Sequence, residues 1–379
     1  MKKNLFGWLA MATMLVGTGC SSDEVVNDYS PENAIQFGTY VGRDAQGRAS
    51  IFDDTDLKTR NVGFGVYAYY TGQETWHEYK NSHPRFAPNF MNNTHVTYNS
   101  STTSWTYAPL KYWPNNTGDK VSFFAYAPYS YSNSNIAAPT NGVIPFTVAN
   151  TVTDQTDLTA ATEPQLNLTK NSDGDLDGTV DFTFKHVLSR IEFTLQAAAD
   201  RLDAGGTINT GTTITLTKIV IGEADHTTST DDYDKFYITA DYSILNNEWS
   251  KKSGMQAFTL VESNFITNSN VLTTGDNNQR DLIAEDSDDY IMVIPSTIQN
   301  LPIYVEYTVT TEGTNTEGED DNSTVTNKIT TVLPSFTFDQ EKAYKFNLVL
   351  GMSTVELTAT VYDWGNGGNQ VVDLPKNEE

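Results

Sequence analysis

The sequence predicts an all-β protein built from antiparallel β-sandwiches. Short runs alternate apolar and polar residues with a period of two, between clusters of Gly, Asn, Asp and Pro. The composition is rich in Thr, Ser and Asn, with 20 Tyr and 18 Phe, a mixture suited to pleated, half-buried surfaces. No long stretch carries the 3.6-residue period of an amphipathic helix; only 196–202 reads as a turn or two of helix.

The elements follow in order. Lys2 and Lys3 precede an apolar run over 5–16, of signal-peptide length and short for a membrane span. Gly17-Thr18-Gly19-Cys20 follows and resembles a bacterial lipobox, in which the peptide is cut before the thiol and the thiol is acylated. Cys20 is the single cysteine of the chain. No disulfide within the chain and no Cys-cluster metal site are therefore expected. Ser21-Ser22-Asp23-Glu24 adds an acidic patch of the kind seen in surface-exported lipoproteins. The expected organisation is a signal peptide over 1–19, a tether over 20–33, and two sandwich domains over 34–175 and 176–379, with an acidic seam near 171–180.

Within the first domain, 34–41 reads as a strand with Ile35 and Phe37 on one face. The segment 42–56 then carries Arg43 and Arg48 with little apolar period, which makes it a candidate for arginine-directed proteolysis. Phe64, Val66, Ala68 and Tyr70 alternate, and Lys120 to Ala127 (KVSFFAYA) is a dense apolar strand stopped by Pro128. In the second domain the same period recurs over 190–195, 303–309, 344–350 and 355–361. The stretch 310–327, rich in Thr and acids, reads as a long hairpin loop.

Charge and motif spacing narrow the chemistry. The 48 acidic and 23 basic side chains give a net charge of −25. That excludes nucleic acid and anionic bilayer surfaces as main partners. The five histidines, His77, His83, His95, His186 and His226, make no metal-binding spacing. No nucleophile elbow, P-loop or dinucleotide fingerprint is present, so no catalytic residues and no enzyme activity are expected. Asp173, Asp175 and Asp177 have the spacing of a calcium loop, with Asp181 at the ninth position. Phe184 stands where the bidentate Glu belongs, so a solvated linker is expected there, with no metal and no cofactor. Trp105, Tyr107, Tyr112, Trp113, Tyr126, Tyr129 and Tyr131 form either a sugar-stacking platform or core.

A collinear set of segments then resembles the fimbrillin family of type V pilin subunits. It comprises the lipobox at Cys20, Arg48-Ala49, Phe64 to Ala68 (FGVYA), Tyr112-Trp113-Pro114 and Val121 to Pro128 (VSFFAYAP). It continues through Gln155 to Leu158 (QTDL), Phe184 to Ile191 (FKHVLSRI), Ile291 to Pro295 (IMVIP) and Ala359 to Trp364 (ATVYDW).

The resemblance implies two tandem transthyretin-like sandwich domains after a lipoprotein signal peptide. It implies export to the outer membrane on the Cys20 lipid, cleavage by an arginine-specific protease, and polymerisation into a fimbrium by strand exchange. Mapped onto this chain, Ile35 and Phe37 plug a groove until cleavage between Arg48 and Ala49, with Arg43 and Arg60 as alternative cut sites. The donor strand would come from Val355, Leu357, Ala359 and Val361, or from 369–374. Partners would be other pilin subunits, identical or not, with a host protein or glycan as a further candidate. The alternative expectation is a surface glycan-binding lipoprotein of a polysaccharide-uptake system.

Overall fold

The computed structural model describes residues 33–41, 54–59, 62–129, 135–170, 178–198, 211–223, 235–273, 279–284, 290–351, 353–364 and 366–372. Cys20, Arg43, Arg48, Ala49, Arg60, Asp173, Asp175 and Asp177 lie outside these residues, as do Tyr131 and His226.

The chain is all-β. Its first sheet has eight strands, with Phe64–Gly72 and Lys120–Ala127 paired antiparallel at the centre. Both faces of this pair are buried, which is why the sequence shows apolar runs there instead of clean alternation. Phe64, Val66, Ala68, Phe123 and Ala125 join Phe182 and Phe184 in one core. On the opposite face Tyr67, Tyr69, Phe124 and Tyr126 belong to a larger core that continues into the second half of the chain. Gly65 is required at this centre, because a Cβ there would strike the Tyr126 ring.

A three-stranded sheet joins Val143–Thr147 to Phe236–Ser243 and Glu248–Gln256. The C-terminal sandwich packs two further sheets. One, of six strands, runs in the order Arg280–Asp281, Ser189–Ala197, Lys342–Leu350, Val355–Asp363, Asn366–Val372, with Ile291–Val293 also on Ser189–Ala197. The other, of five, runs Phe258–Val261, Thr212–Ile221, Ser296–Thr311, Ser323–Phe338, with Val271–Leu272 also on Thr212–Ile221. Phe193, Phe346 and Leu348 from the first sheet share a core with Ile219, Val305 and Tyr307 from the second.

Several details differ from the sequence expectation. Two ladders are parallel: Gln36–Val41 on Thr179–His186, and Ser189–Ala197 on Lys342–Leu350. Thr179–His186 completes the first sheet and Ser189–Ala197 opens the next, so the change of sheet falls after the acidic seam. The hairpin loop expected over 310–327 is present but shorter, spanning 312–322, because the 16-residue strands Ser296–Thr311 and Ser323–Phe338 pair to their tips. The segment around His77 is a short helix, Trp76–Ser82. The Glu78 N–H donates to the Thr75 hydroxyl at 3.3 Å and the Thr75 N–H to the Glu78 carboxylate at 2.8 Å. This reciprocal cap satisfies donors that the first helical turn leaves free, and it holds the Glu78 carboxyl below the usual range.

A buried ionic cluster ties the six-stranded sheet together. An Arg190 guanidinium nitrogen lies 2.5 Å from a Glu192 carboxylate oxygen, and Lys345 Nζ lies 3.5 Å from the other. The Tyr362 hydroxyl donates to Glu192 and accepts from Arg190 at 3.2 Å. The guanidinium also sits over the rings of Tyr290 at 4.5 Å and Trp364 at 5.4 Å. Burial opposes the charge on Arg190, yet Glu192 beside it keeps the guanidinium above its ordinary value. Deleting one member of such a buried set strands the others without compensation. Glu192→Ala is expected to lower unfolding free energy by about 3–5 kcal/mol in urea titration. Glu163→Ala, which breaks an exposed pair with Lys185, should change it little.

Candidate functional site

The site follows from the first strand, Gln36–Val41, and the residues just before it. Alternation turns Ile35 and Phe37 inward and Gln36 outward. The strand lies at the edge of the eight-stranded sheet, in register Gln36↔Thr179 through Val41↔Phe184. An edge strand is held by one ladder only, and a parallel ladder is slightly the weaker kind.

On its other flank the chain is gripped near its start. The Ile35 N–H donates to the Lys111 carbonyl at 2.9 Å, and the Trp113 N–H donates to the Asn33 carbonyl at 3.1 Å. The Tyr107 hydroxyl donates to the Ile35 carbonyl at 2.8 Å and accepts from the Lys111 N–H at 3.3 Å. Burial pushes the Tyr107 phenol up to about 12, with a backbone hydrogen bond to Lys111 acting the other way. The Lys170 ammonium donates to the Asn33 side-chain oxygen, and Trp113 Nε1 donates to the Gly178 carbonyl at 3.1 Å. The first strand thus occupies a groove whose walls are Thr179–His186 and the segment 107–113.

The floor of the groove is aromatic. The Phe37 ring centroid lies 5.3 Å from Tyr107, 5.7 Å from Phe182, 6.1 Å from Phe64 and 6.2 Å from Phe123. Edge-to-face and offset contacts at these separations add to the area buried. Ile35 is 1% exposed and Phe37 5%. The helix Asp54–Thr59 lends Leu57, fully buried, to the same core. Gly38 faces Asp181 across the ladder on the outward side of the strand, where a Cβ would meet the movable end of the exposed Asp181 side chain.

Ile35 and Phe37 are both buried on the inner side of this segment. Val355, Leu357, Ala359 and Val361 lie in Val355–Asp363, a strand paired on both sides by Lys342–Leu350 and Asn366–Val372. Ala359 is buried, and Val355, Leu357 and Val361 pack on this chain's own core. Most of the aromatic cluster of 105–129 is core: Trp113, Tyr126 and Tyr129 are buried and Trp105 packs on Phe64 at 4.9 Å. Stacked sugar needs open ring faces, and these rings face protein. Sequence reasoning missed the groove walls. Val180, Phe182 and Phe184 alternate legibly, but their partner strand is remote in the chain. Among the described residues no three of His, Cys, Asp and Glu converge to hold a metal ion.

Comparison with known proteins gives a match to the fimbrillin-like family model over residues 48–364. The chain is 26% identical to the fimbrium subunit Fim1C of Phocaeicola vulgatus, over 97% of this chain and 98% of that protein. Among solved structures, the tip fimbrial protein Mfa3 of Porphyromonas gingivalis with C-terminal truncation is 10% identical. That alignment covers 87% of this chain and 99% of the other, with a TM-score of 0.42.

The packing of Phe37 can be measured directly. Phe37→Ala is expected to lower unfolding free energy by about 3–5 kcal/mol. Gln36→Ala, at the exposed neighbour, should stay within about 0.5 kcal/mol. Urea titration of the two variants beside the parent chain provides the comparison.

Proposed function

The chain belongs to the fimbrillin-like family, and from that premise we propose that it is a structural subunit of a cell-surface pilus. The observation that carries the proposal is the separable first strand. It is a single edge strand whose apolar residues fill a deep aromatic groove, and an arginine-bearing segment follows it in sequence.

In this proposal the precursor reaches the outer membrane as a lipoprotein acylated on Cys20. An arginine-specific protease then cuts after Arg48. The strand leaves with the lipid, and the groove between Thr179–His186 and 107–113 opens. An extended segment of another subunit enters, replaces the lost ladder with its own main-chain hydrogen bonds, and fills the pockets of Ile35 and Phe37. Such a head-to-tail contact does not close on itself, so it propagates as a filament. The assembled subunits form a fimbrium at the cell surface, and the role requires no catalytic centre and no cofactor beyond the covalent lipid.

Two features select among the alternatives. A cut at Arg60 would release the helix Asp54–Thr59 as well, and with it the fully buried Leu57. Cutting at Arg48 or Arg43 leaves Leu57 in the core, and the family match itself starts at residue 48. For the donor, Val355–Asp363 is a poor choice because it holds a ladder on both sides and packs on its own core. Asn366–Val372 is bonded on one side only, so we propose that the segment after Trp364 donates.

Mass spectrometry of the N-terminus of protein taken from the cell surface tests the maturation route. A terminus at Ala49 is expected, and Arg48→Ala should retain acylated Cys20. A surface protein that keeps its Cys20 lipid, stays monomeric after arginine-specific protease, and is retarded by polysaccharide in affinity gels would overturn the proposal.

A further inference from the structure

On the premise of the pilus-subunit reading above, maturation needs a stop as well as a cut. Arg60 follows Arg43 and Arg48 in the sequence, and a cut after Arg60 would detach part of the core together with the first strand. A protease takes its substrate as several extended residues, so the backbone on both sides of the bond must leave the body first. Arg60 itself lies outside the described residues, but its neighbours on both sides are described, and both sides are anchored.

On the N-terminal side, the helix Asp54–Thr59 touches both the first strand and the strand Met91–Asn99. Leu57 is fully buried, in the same core as Phe64 and Val96. Lys58 Nζ lies 5.6 Å from the centre of the Tyr98 ring, an attraction of cation to ring face. Tyr98 packs on Trp105 at 5.2 Å, and Trp105 on Phe64.

On the C-terminal side, His95 Nε2 donates to the Val62 carbonyl at 3.2 Å. Burial, opposed by that hydrogen bond, holds His95 below its ordinary value. The Tyr129 N–H donates to the Gly63 carbonyl at 3.2 Å. The His95 and Tyr129 rings stack at 3.9 Å with 6° between their planes, so the two donors form one unit. Gly63 has φ +61°, and a Cβ there would collide with the Val96 carbonyl oxygen. The backbone at 62–63 is therefore pressed against Met91–Asn99 and bonded at consecutive carbonyls.

We infer that Leu57, Lys58, His95 and Tyr129 form a clamp over residues 57–63 that sets the downstream limit of proteolytic maturation. The clamp holds residues before and after Arg60, so a protease reaches that bond only in the fraction of molecules in which the clamp has opened. Cutting then falls in proportion to that fraction. The same clamp keeps Leu57 in the core after the first strand has left. These are positioning residues: they decide how much of the chain departs with the lipid.

The test treats the full chain with an arginine-specific protease and follows each new N-terminus by mass over time. The parent should be cut upstream of residue 57 and stay whole after Arg60. Leu57→Ala and His95→Ala, each checked for folding by circular dichroism, loosen the clamp from opposite sides. Each should raise the rate after Arg60 by about tenfold or more. Glu192→Ala, which destabilises the distant six-stranded sheet, serves as the control and should leave that rate low. A parent cut after Arg60 as fast as after Arg48 would overturn the inference and leave the maturation route standing. So would a Glu192→Ala rate equal to that of Leu57→Ala, since protection would then be global. A parent cut at neither Arg43 nor Arg48 would count against the maturation route instead, while the contrast at Arg60 between parent and Leu57→Ala still decides the clamp.

Discussion

The seat of Phe37 is the contact on which the first sheet depends. Its ring touches the central strand Phe64–Gly72 through Phe64, the adjacent strand Lys120–Ala127 through Phe123, and the outer strand through Phe182. Removing it would open one core from the edge to the centre. Yet the strand that delivers Phe37 is bonded to the sheet along one side and by a parallel ladder. The molecule thus places a deeply buried side chain on an edge strand, whose other flank is held near its start by the segment 107–113. That pairing of a buried anchor with an edge position sets this segment apart from the central strands of the sheet.

Thr179–His186 links this groove to the rest of the chain. Its start forms the wall on which the first strand lies. Its last residue, His186, lies 2.7 Å from the buried carboxylate of Asp157 and stacks on Trp364. Trp364 in turn lies under Arg190, whose partners Glu192 and Tyr362 hold Ser189–Ala197 to Val355–Asp363. One strand therefore runs from the groove to the buried cluster at the end of Val355–Asp363. Polar groups buried in this way stabilise only when each has its partner, so the position of the last strands is specified by a set of pairings as well as by apolar packing.

Much of the fold was legible, and the reasons differ by element. The strands 64–72, 120–127, 303–309 and 344–350 announced themselves by alternation or by dense apolar runs, because burial of one or both faces dictates side-chain type locally. Ile35 and Phe37 were readable for the same reason. The groove walls were not, since the ladder from Gln36 to Thr179 joins distant parts of the chain and no local pattern encodes a partner. The helix Trp76–Ser82 was missed although Thr75-x-x-Glu78 writes its cap into the sequence; seven residues are too few for a helical period to show. The hairpin loop read over 310–327 runs only over 312–322, because Thr and acidic residues serve the exposed strand ends on either side as readily as the loop itself.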